Sequence, residues 1–171
     1  ELSGLPDFNW REQFYDPAKS LYMQLRAQAG RLKARSDAIP GVRADLGIIC
    51  VPSIFGIGYT VPEDSKPWTT SRVPKEALKE FTVPEDVSQL GVMPRLIEHT
   101  QHHITVLKER GLAEFITVHH CDLQGAFDIA CQARGHDIFI DLYDDPEFVH
   151  DLMAKSTQAF IAVGKLCKKL T

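Results

Sequence analysis

The stretch from Phe115 to Gly135 constrains the fold more than any other part of the chain. Phe115, Ile116, Thr117 and Val118 form an apolar run with β-branched members, which suits a buried strand. Asp122, Leu123, Gln124 and Gly125 break that run. Ala126 to Arg134 then has helical spacing, with Ala126, Phe127, Ile129, Ala130 and Ala133 largely on one face, and Gly135 is placed to end the helix. Strand, polar corner and helix make the leading half of a βαβ unit. The polar corner falls at the carboxyl end of a strand, where α/β folds keep their chemistry. His119, His120, Cys121, Asp122 and Gln124 all lie there.

The rest of the chain is organised around this unit. Trp10, Phe14 and Tyr15 are expected to anchor the N-terminal segment. Asp16 and Pro17 open a helix expected to run from Pro17 to Ala34, weakened locally by Gly30. Leu46 to Ser53 is continuous and apolar and reads as a second strand, buried on both faces. Ile54 to Thr70 mixes Gly56, Gly58, Pro62 and Pro67 with Phe55, Tyr59 and Trp68, as a long loop or small hairpin does. Such segments often rim a site. Pro74 to Phe81 suggests a short helical turn. Pro84 to Gly111 suggests mostly helix, with Pro94 as the possible start of a second segment. Leu96, Ile97, Ile104 and Leu107 mark its inner side. Asp137 to Tyr143 fits a helical turn or a strand. Asp145 and Pro146 start a last helix that reaches Leu170, with Phe148, Val149, Leu152, Phe160, Val163 and Leu166 inward.

Buried strands separated by helices imply an α/β protein with a parallel sheet. Two strands leave edges in need of partners. The expectation is therefore the N-terminal portion of a (β/α)8 TIM barrel, with residues 1–171 as a single domain holding about two βα units. The chain begins with Glu1 and not Met, which reads as a chain that has lost a piece. Its formal charge of −4 gives no reason to expect nucleic acid or an anionic membrane surface as partner. No apolar run approaches the roughly 20 residues that span a bilayer. Cys50, Cys121, Cys131 and Cys167 are scattered and read as reduced thiols of a cytoplasmic protein.

Several residue types invite chemical readings. His119 and Cys121 are two apart, so on a strand both could face one zinc ion, with Cys131 as a third ligand. Packing of the barrel interior is the plainer reading. His99 and His103 share a helix face, but Glu98 precedes the pair instead of lying inside it, and an exposed polar face is expected. Asp122 and Gln124 either bind a substrate or cap the helix after them. Ser53 has no His and Asp partners at a recognisable spacing. Gly56-Ile57-Gly58 is followed by no helix pattern, so it is no phosphate loop. Lys165 to Lys169 reads as a solvated helix end.

The run Asp122-Leu123-Gln124-Gly125-Ala126-Phe127-Asp128-Ile129-Ala130, then Gly135, then Asp144-Asp145-Pro146-Glu147-Phe148-Val149-His150-Asp151-Leu152 resembles the uroporphyrinogen decarboxylase superfamily. Val51 to Gly56 looks like the end of that family's first barrel strand and the following loop. Asp16-Pro17-Ala18-Lys19 looks like the opening of its N-terminal helix. The resemblance implies a TIM barrel about twice this length, and either porphyrinogen decarboxylation or corrinoid-linked methyl transfer. Departures from the decarboxylase pattern favour the methyltransferase branch. Ala27 stands where the decarboxylase's Arg-Gln-Ala-Gly-Arg segment has its first Arg, ahead of Gln28-Ala29-Gly30-Arg31. Its strand carboxylate would fall near Gly47, and its active-site Tyr near Gln132. The implied cofactors are zinc and a corrinoid, with the zinc ligands outside this chain. The implied partner is a small molecule or a corrinoid protein, with self-association into a homo-oligomer as a further expectation. Pro52, Ser53, Phe55, His119, Cys121, Asp122 and Gln124 would form one wall of the binding mouth. A non-catalytic barrel that binds a corrinoid protein is the remaining alternative.

Overall fold

The computed structural model of the chain describes residues 4–31 and 37–171. Two short helices lead. In α1 (Trp10–Tyr15) Asn9 Oδ1 accepts the Glu12 N–H at 2.8 Å, and the Glu12 carboxylate accepts the Asn9 N–H at 3.0 Å, a reciprocal cap. In α2 (Pro17–Arg31) the Asp16 carboxylate accepts from Ala18 and Lys19. The expected continuation of α2 to Ala34 lies outside the described residues. Of the N-terminal aromatics Phe14 is buried and Trp10 half-buried, but Tyr15 is exposed.

The first strand is not where the apolar run placed it. Strand β1 is Gly41–Arg43, and Leu46 to Phe55 instead folds into two tight 3₁₀ turns, Gly47–Ile49 and Pro52–Phe55. Gly47 takes a left-handed φ of +70° with Pro67 close against it, and Pro52 has no N–H to give a ladder. The run is nonetheless core, since Ile49 to Phe55 are all buried. A continuous apolar run reports burial and leaves the backbone path open.

A hairpin follows, β2 (Gly58–Thr60) against β3 (Trp68–Ser71). Helix α3 (Lys75–Glu80) comes next. Residues 84–92 are not helical as expected. Asp86 accepts the Ser88 N–H in a local turn, and α4 (Met93–Glu109) begins with Pro94 in its first turn. The central strand β4 is Thr117–His119, two residues later than its apolar pattern began. Phe115 and Ile116 both donate to Leu112 C=O in a turn, and Phe115 is 67% exposed. Then come α5 (Ala126–Arg134), closed by Gly135 at φ +78°, α6 (Ile138–Asp144) and α7 (Pro146–Leu170). Asp145 caps α7 by accepting the Phe148 N–H at 3.1 Å. Phe160, expected on the inner side of α7, is partly exposed, whereas Val163 and Cys167 are buried.

β1 and β4 are parallel, with Val42 opposite Val118 and α4 in the connection between them. The βαβ arrangement thus holds, on a different first strand. Pro40 C=O accepts from Thr117, so Gly41 and Arg43 turn their backbone groups to the opposite edge. There two glutamines of α2 take the place of a strand. Gln24 accepts from Arg43 N–H at 2.9 Å and donates to Arg43 C=O at 2.8 Å, and Gln28 donates to Gly41 C=O at 2.6 Å. The main core joins the 3₁₀ turns, α5 and the inner face of α7. No helix of the described residues is long and apolar enough to cross a membrane.

Candidate functional site

Both parallel strands run out at the same end. Arg43 closes β1 and Asp45 follows it, while His119 closes β4 and His120 to Gln124 follow it. Val42, Ala44 and Leu46 point into the protein and are buried, which turns Arg43 and Asp45 the other way by simple alternation. A cleft of about 500 Å³ opens here, walled by α2 on one side and by the strand ends on the other. Trp10, Gln24, Arg43, Asp45, Lys66 and His119 line it. A larger groove, about 660 Å³, lies between residues 83–87 and α7 and includes none of the strand-end residues.

Charge in the cleft centres on Asp45. Its Oδ2 accepts from Lys66 Nζ at 2.7 Å, and Lys66 Nζ also lies 5.2 Å from the centre of the Trp10 ring. Oδ1 is buried, 3.5 Å from the Arg43 guanidinium, and has no hydrogen bond. Arg43 reaches across to Asp122, three residues past the end of β4, at 3.9 Å. Arg43 therefore bridges the carboxylates that follow the two parallel strands. His119 lies over Gly41, where a Cβ would collide with the imidazole. The glycine is what lets that ring sit across the strand pair.

The residues singled out from the sequence separate into two groups. His119, Asp122 and Gln124 are at the surface of this end. Gln124 holds a left-handed φ of 57°, uncommon for a side-chain-bearing residue, and its amide oxygen accepts from Gln132, which in turn accepts from Thr69 on the hairpin at 3.1 Å. Asp122 does not cap α5; the Asp128 carboxylate accepts the Gly125 N–H instead. Pro52, Ser53, Phe55 and Cys121 lie behind the surface, all buried. Ser53 accepts from Val92 N–H at 3.0 Å and donates to Cys50 C=O at 2.8 Å, so its hydroxyl is fully used in joining the 3₁₀ turn to the start of α4. Phe55 packs on Phe81 with ring centres 5.1 Å apart.

His119 and Cys121 do not share a face toward one ion. The imidazole is exposed, whereas the thiol is 1% exposed and packs toward Cys167. Cys131 is half-buried on α5. Among the described residues no group of three or more His, Cys, Asp or Glu side chains is arranged to hold a metal ion. The zinc arrangement weighed for this chain therefore does not fit it.

His99 and His103 overturn the expectation of a polar outer face. Both rings are fully buried, and none of their four nitrogens has a well-formed hydrogen bond. They face the elbow between α1 and α2. Burial, with Arg95 and His102 near His99 and with His99 and His102 near His103, lowers each to about 4. Both stay neutral near pH 7.

Arg43, Asp45, Lys66 and Gln24 were not among the residues picked out from sequence. All but Lys66 precede Leu46–Ser53, the run whose apolar pattern predicts the strand. The available signal was the alternation of Val42, Ala44 and Leu46 with Arg43 and Asp45, a period-two pattern ending in charge.

Comparison with protein-family models gives no match, and neither does comparison with curated protein sequences. Among solved structures the chain is similar to a methyltransferase from Methanosarcina mazei, at 17% identity and a TM-score of 0.73. The match covers 95% of this chain and 45% of the methyltransferase. The likeness is one of fold: this chain has the α/β architecture of somewhat less than half of that protein.

Proposed function

We propose that the chain forms the N-terminal portion of a TIM barrel of the uroporphyrinogen decarboxylase superfamily, and that the complete barrel carries out corrinoid-linked methyl transfer. The carrying observation is the fold likeness to a methyltransferase along nearly the whole chain. The site fits this reading because its charged groups gather beyond the carboxyl ends of parallel strands, where barrels keep their chemistry. Arg43, Asp45, Lys66 and His119 would position a polar substrate in the cleft. Asp122 and Gln124 would shape its rim, and buried Pro52, Ser53, Phe55 and Cys121 would hold the wall from behind. Zinc would supply a lowered pKa to a thiol acceptor. Its ligands belong, in this reading, to residues outside the chain.

The test is a visible spectrum of the full-length gene product with methylcobalamin and a thiol. Loss of the methylcobalamin bands, dependent on both protein and thiol, is the expected result. An unchanged spectrum from folded, metal-supplemented protein would overturn the reading.

One observation favours decarboxylation as a second reading. The objection that the first strand brings no carboxylate rested on a strand ending near Ser53. With β1 at Gly41–Arg43, Asp45 stands just past its end with one oxygen unpaired. Release of carbon dioxide from a porphyrinogen acid, abolished by Asp45→Asn, would select this reading over methyl transfer.

A further inference from the structure

Neither reading gives the thiols of Cys121 and Cys167 any chemistry. Their sulfurs lie 3.9 Å apart across 46 residues of sequence, one two residues past β4 and the other on α7. Cys50 flanks the same spot, close enough to act on the Cys121 thiol. Cys131, on α5, is half-buried and stands apart from this group. The geometry thus gathers two thiols within reach of one another and supplies an internal control elsewhere in the chain.

We infer that Cys121 and Cys167 form a reversible dithiol–disulfide pair that fastens the turn at the candidate site to the end of α7. The pair is independent of any assumption about methyl transfer. Cys167 is the more accessible of the two, at 5% exposed against 1% for Cys121.

A low-molecular-weight disulfide, RSSR, serves as oxidant. The Cys167 thiolate attacks one sulfur of RSSR, the RS–SR bond breaks, and the departing RS⁻ takes up a proton. Cys167 is left as a mixed disulfide. The Cys121 thiolate then attacks the Cys167 sulfur and displaces the second RS⁻, which is also protonated. Two electrons pass from the protein thiols to RSSR, which ends as two RSH. The Cys121 thiol is pulled down by Cys167 but pushed up further by Cys50 and by burial, and the Cys167 thiol is pushed up by Cys121 and by burial. Thiolate is therefore scarce at neutral pH, and the first exchange is slow and quickens as pH rises.

The experiment treats the folded chain with oxidised glutathione, quenches with acid, unfolds it and alkylates the remaining thiols for peptide mapping. The expected result is loss of two of the four alkylatable thiols, recovery of a Cys121–Cys167 linked peptide, and reversal by dithiothreitol. Cys131→Ser should lose the same pair. Cys167→Ala should yield no linked peptide. A linkage of Cys50 to Cys121, or full alkylation of Cys50, Cys121 and Cys167 under oxidation that modifies Cys131, would overturn the inference. Because the linked peptide is read from the unaltered chain, a failure of either variant to fold leaves the test intact.

Discussion

Ser53 shows how a residue with chemical potential can be spent on structure. Its hydroxyl accepts from Val92 N–H and donates to Cys50 C=O, and the glycine beside Val92 leaves no room for a side chain against it. Ser53→Ala should leave the buried Val92 N–H unpaired and cost about 1–3 kcal/mol, measured by urea unfolding. A serine at the end of an apolar run looks alike in sequence whether it faces a cleft or a neighbouring turn. What decides is the partner, and Val92 is far away in the chain. Asp45 is the opposite case. Its role was legible in the alternation from Val42 to Leu46, but the longer apolar run after it gave a stronger and misleading signal.

At the level of elements, α4 holds a pH-sensitive contact. His99 and His103 face the α1–α2 elbow, with Arg95 beside them reaching Phe14 C=O at 3.3 Å and its guanidinium over the Phe14 and Tyr15 rings. Asp16 and His102 are the other ionisable groups felt there. In the unfolded chain each imidazole protonates near 6.5, and in the folded chain near 4. The unfolded state therefore binds more protons between those values, and stability falls as pH drops through that window. The loss is absent above about pH 7 and complete below about pH 4, with an upper limit of about 3 kcal/mol per histidine. Urea midpoints measured across this range should show the slope, and His99→Leu with His103→Leu should flatten it. Helix α7 was readable from sequence because Asp145 and Pro146 mark its start locally. The burial of the α4 histidines was not, because it depends on where α1 and α2 dock.

For the whole molecule, the C-terminal helices are joined to the rest by a compact ionic network. Asp141, 5% exposed, accepts from Arg134 at 2.6 Å and Lys75 at 2.8 Å, which ties α3, α5 and α6 together. Burial alone would raise this carboxyl, but those two bonds outweigh it and hold it below the ordinary range. Asp141→Ala should destabilise the fold by about 1–3 kcal/mol, as chemical denaturation would record, since Lys75 keeps Asp145 and Arg134 keeps Asp137 as partners. The order of strand, corner and helix was legible from Phe115 to Gly135 because the three are contiguous there, although α6 and α7, and no further strand, follow α5 among the described residues. The position of the partner strand was not, because three residues of β1 carry too little pattern to stand against the eight-residue run that follows them.

The glutamines of α2 have a consequence for assembly. By occupying the outward backbone groups of β1, Gln24 and Gln28 deny that border to any stray extended segment, while the far border of β4 has no strand beside it among the described residues. The sheet is thus polarised, able to recruit a newcomer on one flank only. Replacing both glutamines with alanine should remove that asymmetry, so light scattering should report larger concentration-dependent assemblies than the parent chain forms.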